Sequence, residues 1–253
     1  MELPRNHFKA AIASGRHQLG LWCSLPGGYA AELVAGSGYD WLLFDTEHSP
    51  SDPIGVLSQL QAAAAHDVSS IVRPASNDPV LIKRMLDVGA QTLLIPYVQT
   101  REEAEAAVAA MRYPPRGIRG VSGLTRATRF GRVPGYATKA ESELCLLVQV
   151  ETGFALDRLE DIASVEGVDG VFIGPADLAA SLGFPGEPDR PEVVAAVENA
   201  IARIKAAGKP AGLLTPNIGF ARRCIELGTL FTAVGIDAGV LARGSEALVR
   251  NFR

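Results

Sequence analysis

Apolar and polar positions alternate along this chain on two length scales. Short runs rich in Leu, Val and Ile recur, each followed by a longer Ala-rich stretch in which apolar residues return every three or four positions. The short runs read as buried strands and the longer spacing as helix. Eight runs predict strands over 19–24, 41–45, 70–73, 92–96, 144–151, 170–174, 210–215 and 232–237. The stretches between them predict helices over 52–65, 78–87, 101–111, 156–162, 191–207 and 218–227. Local punctuation agrees: Asn77-Asp78-Pro79 sets a capping side chain before a proline suited to a first helical turn, while Gly208 and Gly228 follow helices as stops. Strands alternating with helices predict a parallel sheet, and eight of them is the number that closes a (β/α)₈ (TIM) barrel.

One connection breaks the rhythm. Residues 113–136, YPPRGIRGVSGLTRATRFGRVPGY, are too long and too rich in Gly, Pro and Arg for a simple crossover. They suit a solvated basic loop, and equally a loop that shapes a pocket or a subunit contact. Arg126 and Arg129 are its candidate partners for substrate carboxylates.

The polar residues cluster where a barrel would use them. Asp45 ends the second run and Arg73 the third, Gln149 and Glu151 end the fifth, Asp177 follows the sixth, and Asp237 closes the eighth. In a closed parallel barrel these carboxyl ends share one face, so residues distant in sequence meet around one mouth. Glu151 and Asp177 lie about one βα repeat apart, on neighbouring strand ends, and could hold a hard divalent cation with positions left open for water or substrate oxygens. Each could also be a solvated rim residue. Gly174-Pro175-Ala176-Asp177 reads as a strand-to-helix turn whose free backbone N–H groups suit a carboxylate. His48, just past the second strand, suits proton transfer near neutral pH, though a lone histidine also suits a structural role. Arg73 would be a permanent charge on a buried strand, costly unless it meets an anion.

Composition narrows the function classes. With 253 residues, 47% of them hydrophobic, the chain has the length of one barrel, so a single domain over 1–253 is expected. A net charge of −4 gives no basic footprint for nucleic acid or anionic lipid. The first twenty residues contain no apolar stretch resembling a signal segment, and no run reaches spanning length. Cys23, Cys145 and Cys224 are an odd set without C-x-x-C spacing, which fits a reducing cytoplasm. Lys9, Lys83, Lys139, Lys205 and Lys209 all fall in predicted helices or loops, which disfavours imine chemistry, and no glycine-rich nucleotide motif is present.

At this point the residues resemble the HpcH/HpaI aldolases, the metal-dependent class II pyruvate aldolases that include 4-hydroxy-2-oxoheptanedioate and 2-dehydro-3-deoxyglucarate aldolases. The resemblance covers nearly the whole chain, through GLWCSLPGG from Gly20, YDWLLFDTEHSP from Tyr39, VRP from Val72, QTLLIPYVQT from Gln91, YPPRGIRGV from Tyr113, QVET from Gln149 and GPADLAASLG from Gly174. It implies a barrel of the phosphoenolpyruvate/pyruvate type, with a C-terminal helix around 245–252 used in a homohexamer. It implies Glu151 and Asp177 as metal ligands for Mg²⁺, Mn²⁺ or Co²⁺, and Arg73 as the support of an enolate oxygen. His48 is implied as the acid–base residue, paired with Asp87, with Gln149 beside the substrate and Gly174, Ala176 and Asp177 supplying carboxylate-binding amides. One departure is local: after Arg119-Gly120-Val121 the chain reads SGLTRATRF, where familiar members are Gly-first and richer in Ala. The expected reaction adds pyruvate, or an analogue such as hydroxypyruvate, to an aldehyde to give a 4-hydroxy-2-keto acid, or reverses it. A citrate-lyase-like acyl-CoA lyase and a non-catalytic small-anion binding barrel are the alternatives.

Overall fold

Strands form where the sequence runs apolar, and all eight expected runs appear within one residue or so of their expected ends. The computed structural model describes residues 1–253. The strands are β1 (Gln18–Cys23), β2 (Trp41–Asp45), β3 (Ser69–Arg73), β4 (Thr92–Ile95), β5 (Cys145–Val150), β6 (Gly170–Ile173), β7 (Ala211–Leu214) and β8 (Phe231–Ile236). Each pairs in parallel with its sequence neighbour, and β8 closes on β1. Parallel closure puts every strand's carboxyl end on one rim.

The helices start where the sequence supplies caps. Asp52 and Asp78 accept hydrogen bonds from the first free N–H groups of helices Pro53–Ala63 and Pro79–Asp87, and Asn217 does the same for Ile218–Leu227. The last ends on Gly228 at φ 100°, a left-handed conformation that favours glycine. Two departures from the expected pattern follow from local chemistry. The helix expected over 156–162 is two short ones, Gly153–Leu156 and Leu159–Ala163, because Arg158 sits outside helical geometry at φ −116°. The segment expected over 245–252 is the end of a longer helix, Asp237–Val249, that starts directly at the β8 terminus. Helices Gly28–Ala35, Arg101–Met111, Pro175–Ser181 and Pro191–Ala206 complete the outer layer with the short Tyr136–Lys139, and His7–Ala13 covers the amino end.

The barrel interior is filled, not hollow. Helix His7–Ala13 drives Phe8 into its amino end, where the ring meets Trp41 and Phe231 edge-on at 6.0 and 5.7 Å. Gly20 and Gly212 face these same two rings, and a Cβ at either would collide with them. Above this layer Trp22 and Phe172 pack at 5.5 Å and form the floor of the mouth.

The 113–136 connection lies against the barrel. Arg119, fully buried, stacks on Tyr113 at 4.5 Å and donates to Asp87 at 2.8 Å. Its outer surface leaves Ile118, Val121, Leu124 and Phe130 exposed. The three cysteines are free and buried. No helix is long and apolar enough to cross a membrane.

Candidate active site

Strand register builds the first half of the site. Asp45 and Arg73 are direct partners in the β2–β3 ladder, so their side chains leave the sheet side by side. Arg73 Nε and Nη2 donate to the two Asp45 oxygens at 2.8 and 2.7 Å, a bidentate pair that is almost wholly buried. The indole of Trp22 lies under the guanidinium at 4.8 Å, and its N–H donates to Asp45 at 3.3 Å. Burial would raise the Asp45 carboxyl, but the Arg73 hydrogen bonds and charge outweigh it and hold Asp45 below the usual carboxylate range. The remaining Arg73 nitrogen, Nη1, points to Gln149 Oε1 at 3.5 Å and stands 2.7 Å from Glu47 Oε2, too poorly aligned there for a hydrogen bond.

The second half comes from β5 and β6. Gln149 and Glu151 are two residues apart and so share a face. The Gln149 amide donates to Glu151 Oε2 at 2.5 Å, and the Tyr97 backbone N–H donates to Oε1 at 2.9 Å. Both side chains are 3% exposed, so water does little to solvate the charge. Burial pushes the Glu151 carboxyl up to about 7, and the Asp177 and Glu47 charges add to the push. Gly174 is required here: a Cβ would meet Glu151 Oε2 at 2.5 Å. Asp177 follows in the first turn of Pro175–Ser181, exposed at the rim.

These residues surround a cavity of about 500 Å³ at the carboxyl ends of the strands. Asp45, His48, Arg73, Gln149, Gly174, Ala176 and Asp177 all line it, so most of the expected set converges there. Glu151 sits just beneath, held by Gln149. His48 is exposed, with Nε2 3.9 Å from Glu47 Oε2. Of the expected amides, Gly174 N–H is spent on the Val150 carbonyl at 3.1 Å, which leaves those of Ala176 and Asp177.

Asp87 is placed elsewhere. It ends helix Pro79–Asp87, and a helix that returns from the mouth ends at the opposite face of the barrel. Its carboxylate is engaged by Arg119, and nothing within one chain brings it to His48. Asp237, noted only as closing a strand, serves the structure: its carboxylate accepts from the Ser24 N–H and hydroxyl at 2.8 and 3.0 Å and fixes the β1 loop. Glu47 and Trp22 were not assigned roles by the sequence pattern. The sign for Glu47 was its place beside His48, two residues past Asp45.

The donor set suits a hard cation held by few protein ligands. No three His, Cys, Asp or Glu side chains converge tightly enough to enclose a metal alone. Glu151 and Asp177 instead form a repelling pair whose charge a divalent ion would relieve, with coordination positions left for water or substrate.

Comparison with known proteins points one way. A family model described as HpcH/HpaI aldolase/citrate lyase matches residues 18–244. A pyruvate aldolase of Rhizobium etli is 71% identical over 252 residues, 100% of this chain and 99% of that protein. A 4-hydroxy-2-oxo-heptane-1,7-dioate aldolase of Salmonella dublin is 57% identical over 249 residues, 98% of this chain and 95% of that protein. The crystal structure of an HpcH/HpaI aldolase/citrate lyase family protein from Burkholderia cenocepacia J2315 superposes with a TM-score of 0.94 at 39% identity, over 98% of this chain and 99% of that one.

Proposed function

The chain belongs to the HpcH/HpaI aldolase/citrate lyase family, and from that premise we propose that its barrel mouth joins pyruvate, or a close 2-keto acid, to an aldehyde and reverses the reaction. The observation that carries this reading is the charge arrangement of the mouth. A buried guanidinium, Arg73, faces the pocket beside carboxylates that repel one another, Glu151 and Asp177. That arrangement suits a 2-keto acid whose oxygens accept from Arg73, with a cation that Glu151 and Asp177 would hold.

Glu151 and Asp177 would hold the cation, Mg²⁺, Mn²⁺ or Co²⁺. When bound, such an ion supplies Lewis-acid polarisation of the keto oxygen. The chain's own residues do the rest. Arg73, fixed by Asp45, keeps one nitrogen turned toward the pocket and the developing negative charge at the keto oxygen. The Gln149 amide orients Glu151, and the backbone N–H groups of Ala176 and Asp177 receive the substrate carboxylate. His48 stands at the open edge, where it would give or take the proton of the new hydroxyl at C4. The acyl-CoA lyase alternative gains nothing here: the only basic side chains lining the mouth are Arg73 and His48, with no basic patch for coenzyme phosphates.

Assembly enters through Asp87. The pairing with His48 that the family resemblance implies could be made only with a second copy of the chain. Exposed Leu241 and Leu248 on the C-terminal helix, Phe252 just past its end, and Val121 and Leu124 on the 113–136 loop give apolar surface for such a contact. A homohexamer is expected, and sedimentation at assay concentration as a monomer would overturn it. Mixed oligomers of His48→Ala and Asp87→Ala chains should recover cleavage that neither has alone.

The activity itself is tested with a chelator. Excess chelator should abolish aldol cleavage and hydrogen exchange at C3 of pyruvate, and Mg²⁺, Mn²⁺ or Co²⁺ should restore both. Full turnover in chelator, or trapping of pyruvate on the protein by borohydride, would refute the metal-dependent reading.

A further inference from the structure

The opposite end of the barrel holds a second cavity, of about 210 Å³, that the aldolase reading does not use. It opens beside the first residues of β3 and β4, so within one chain the packed barrel interior separates it from the mouth. Its charged lining is one-sided. Arg5, Arg126 and Arg129 face it, and no aspartate or glutamate does. The acids nearby are engaged elsewhere: Asp87 with Arg119 at 2.8 Å, and Glu143 with the Asn6 backbone N–H at 2.6 Å.

Arg126 is half-buried without a counter-charge. Its guanidinium lies over Gly89, where a Cβ would meet Nη1 at 2.5 Å, and Nη1 donates to the Val88 carbonyl at 3.0 Å. A carbonyl satisfies one donor but leaves the charge uncompensated, an arrangement that is costly unless an anion completes it. Burial first, and the nearby Arg129 second, pull the Arg126 pKa below its ordinary value.

The loop that delivers these arginines is built against its own preferences. Arg129 and Phe130 both sit in left-handed backbone, at φ 52° and 57°, which is uncommon outside glycine, asparagine and aspartate. Buried Thr128 holds the turn: its hydroxyl donates toward the Gly123 carbonyl at 2.8 Å and accepts from the Gly131 N–H at 3.1 Å. Strained backbone fixed by a dedicated hydroxyl is a feature of segments whose side chains must stand in one place.

We propose that this cavity is a binding site for a small multivalent oxyanion, gripped between Arg126 and Arg129 with Arg5 at its rim. The volume, room for about seven waters at liquid density, admits inorganic phosphate or a four-carbon dicarboxylate. Ser69 and Ser70, at the start of β3, add hydroxyls to its wall. Two or three guanidiniums around one small ligand select for charge above one, which sets this site apart from a monocarboxylate such as pyruvate.

Calorimetric titration of the metal-loaded, assembled enzyme at constant ionic strength tests this, with inorganic phosphate in one arm and succinate in the other. One saturable site per chain is expected for at least one of them, and the arm that binds more tightly identifies the source. Arg129→Gln lies on an exposed loop and should fold, and it should weaken binding about tenfold or more, as should Arg126→Gln. Asp177→Asn, at the mouth, should leave that affinity unchanged. Binding that survives both arginine substitutions, binding lost with Asp177→Asn, or no saturable binding in either arm would each overturn the proposal.

Discussion

The two ends of this barrel are made of the same eight strands and treat charge in opposite ways. At the amino end Phe8, Trp41 and Phe231 close the barrel interior, and Gly20 and Gly212 face two of those rings with no space for a Cβ. At the carboxyl end the strands deliver Asp45, Arg73, Gln149 and Glu151 into a buried setting, and Glu151 is left with a carboxyl that its surroundings push toward the neutral form. An interior optimised only for stability would not keep repelling acids beside a cavity of about 500 Å³. The contrast separates what holds the fold from what performs the chemistry, and it can be broken at either end.

The largest effect should come from the mouth. Asp177→Ala and Arg73→Ala should each lose cleavage and pyruvate hydrogen exchange together, by about 10³-fold or more, because both halves of the reaction need the charge at the keto oxygen stabilised. His48→Ala should divide them. Cleavage should fall by about 10²- to 10⁴-fold, the range of a general acid–base, while exchange falls much less. Equal loss of both would make His48 the base that removes the C3 proton and would end the division of roles proposed here.

The aromatic plug at the amino end should answer in stability alone. Phe8→Ala removes a fully buried ring from between two others and should cost about 3–5 kcal/mol in denaturant unfolding. Turnover at a temperature where the variant stays folded should be unchanged. A matching loss of turnover would show that the plug and the mouth are mechanically coupled.

How far all this was legible in the sequence depends on the length scale of the cause. Strand bodies are continuous apolar runs, so 41–45 and 92–96 could be read directly, and their polar ends marked the rim. What pairs across the sheet could not be read. Asp45 and Arg73 were each visible as strand-end charges, but that they form one bidentate unit depends on β2–β3 register, which no local pattern encodes. Helix His7–Ala13 was missed because HFKAAIA is one short amphipathic turn or two, stabilised by where Phe8 lands and not by its own periodicity. Asp87 shows the limit most plainly: a matching motif assigned it a partner, while topology sends its helix to the far end of the same chain.

The smallest effect expected is in pH, and it has opposite signs at the two ends. Asp45, at the mouth, has a folded pKa below its unfolded one because Arg73 binds the charged form. Its contribution to stability is therefore complete above the usual carboxylate range and is lost as pH falls through the folded pKa. Asp169, just before β6 at the amino end, is raised by burial despite Lys9 at 3.5 Å and the hydrogen bond from the Leu146 N–H. Its protonated form is the one the fold prefers, so its stabilising contribution belongs to acid pH and declines as pH rises through the folded pKa. Unfolding free energies of wild type, Asp45→Asn and Asp169→Asn should be compared from about pH 3, below the ordinary carboxylate pKa, to about pH 7. The gap between wild type and Asp45→Asn should widen as pH rises, because the unfolded carboxylate still holds a proton where the folded one, bound by Arg73, is already ionised. The gap for Asp169→Asn should narrow over the same interval. If both gaps move in the same direction, the two ends do not differ in how they treat a buried carboxylate, and the contrast between them fails at its electrostatic core.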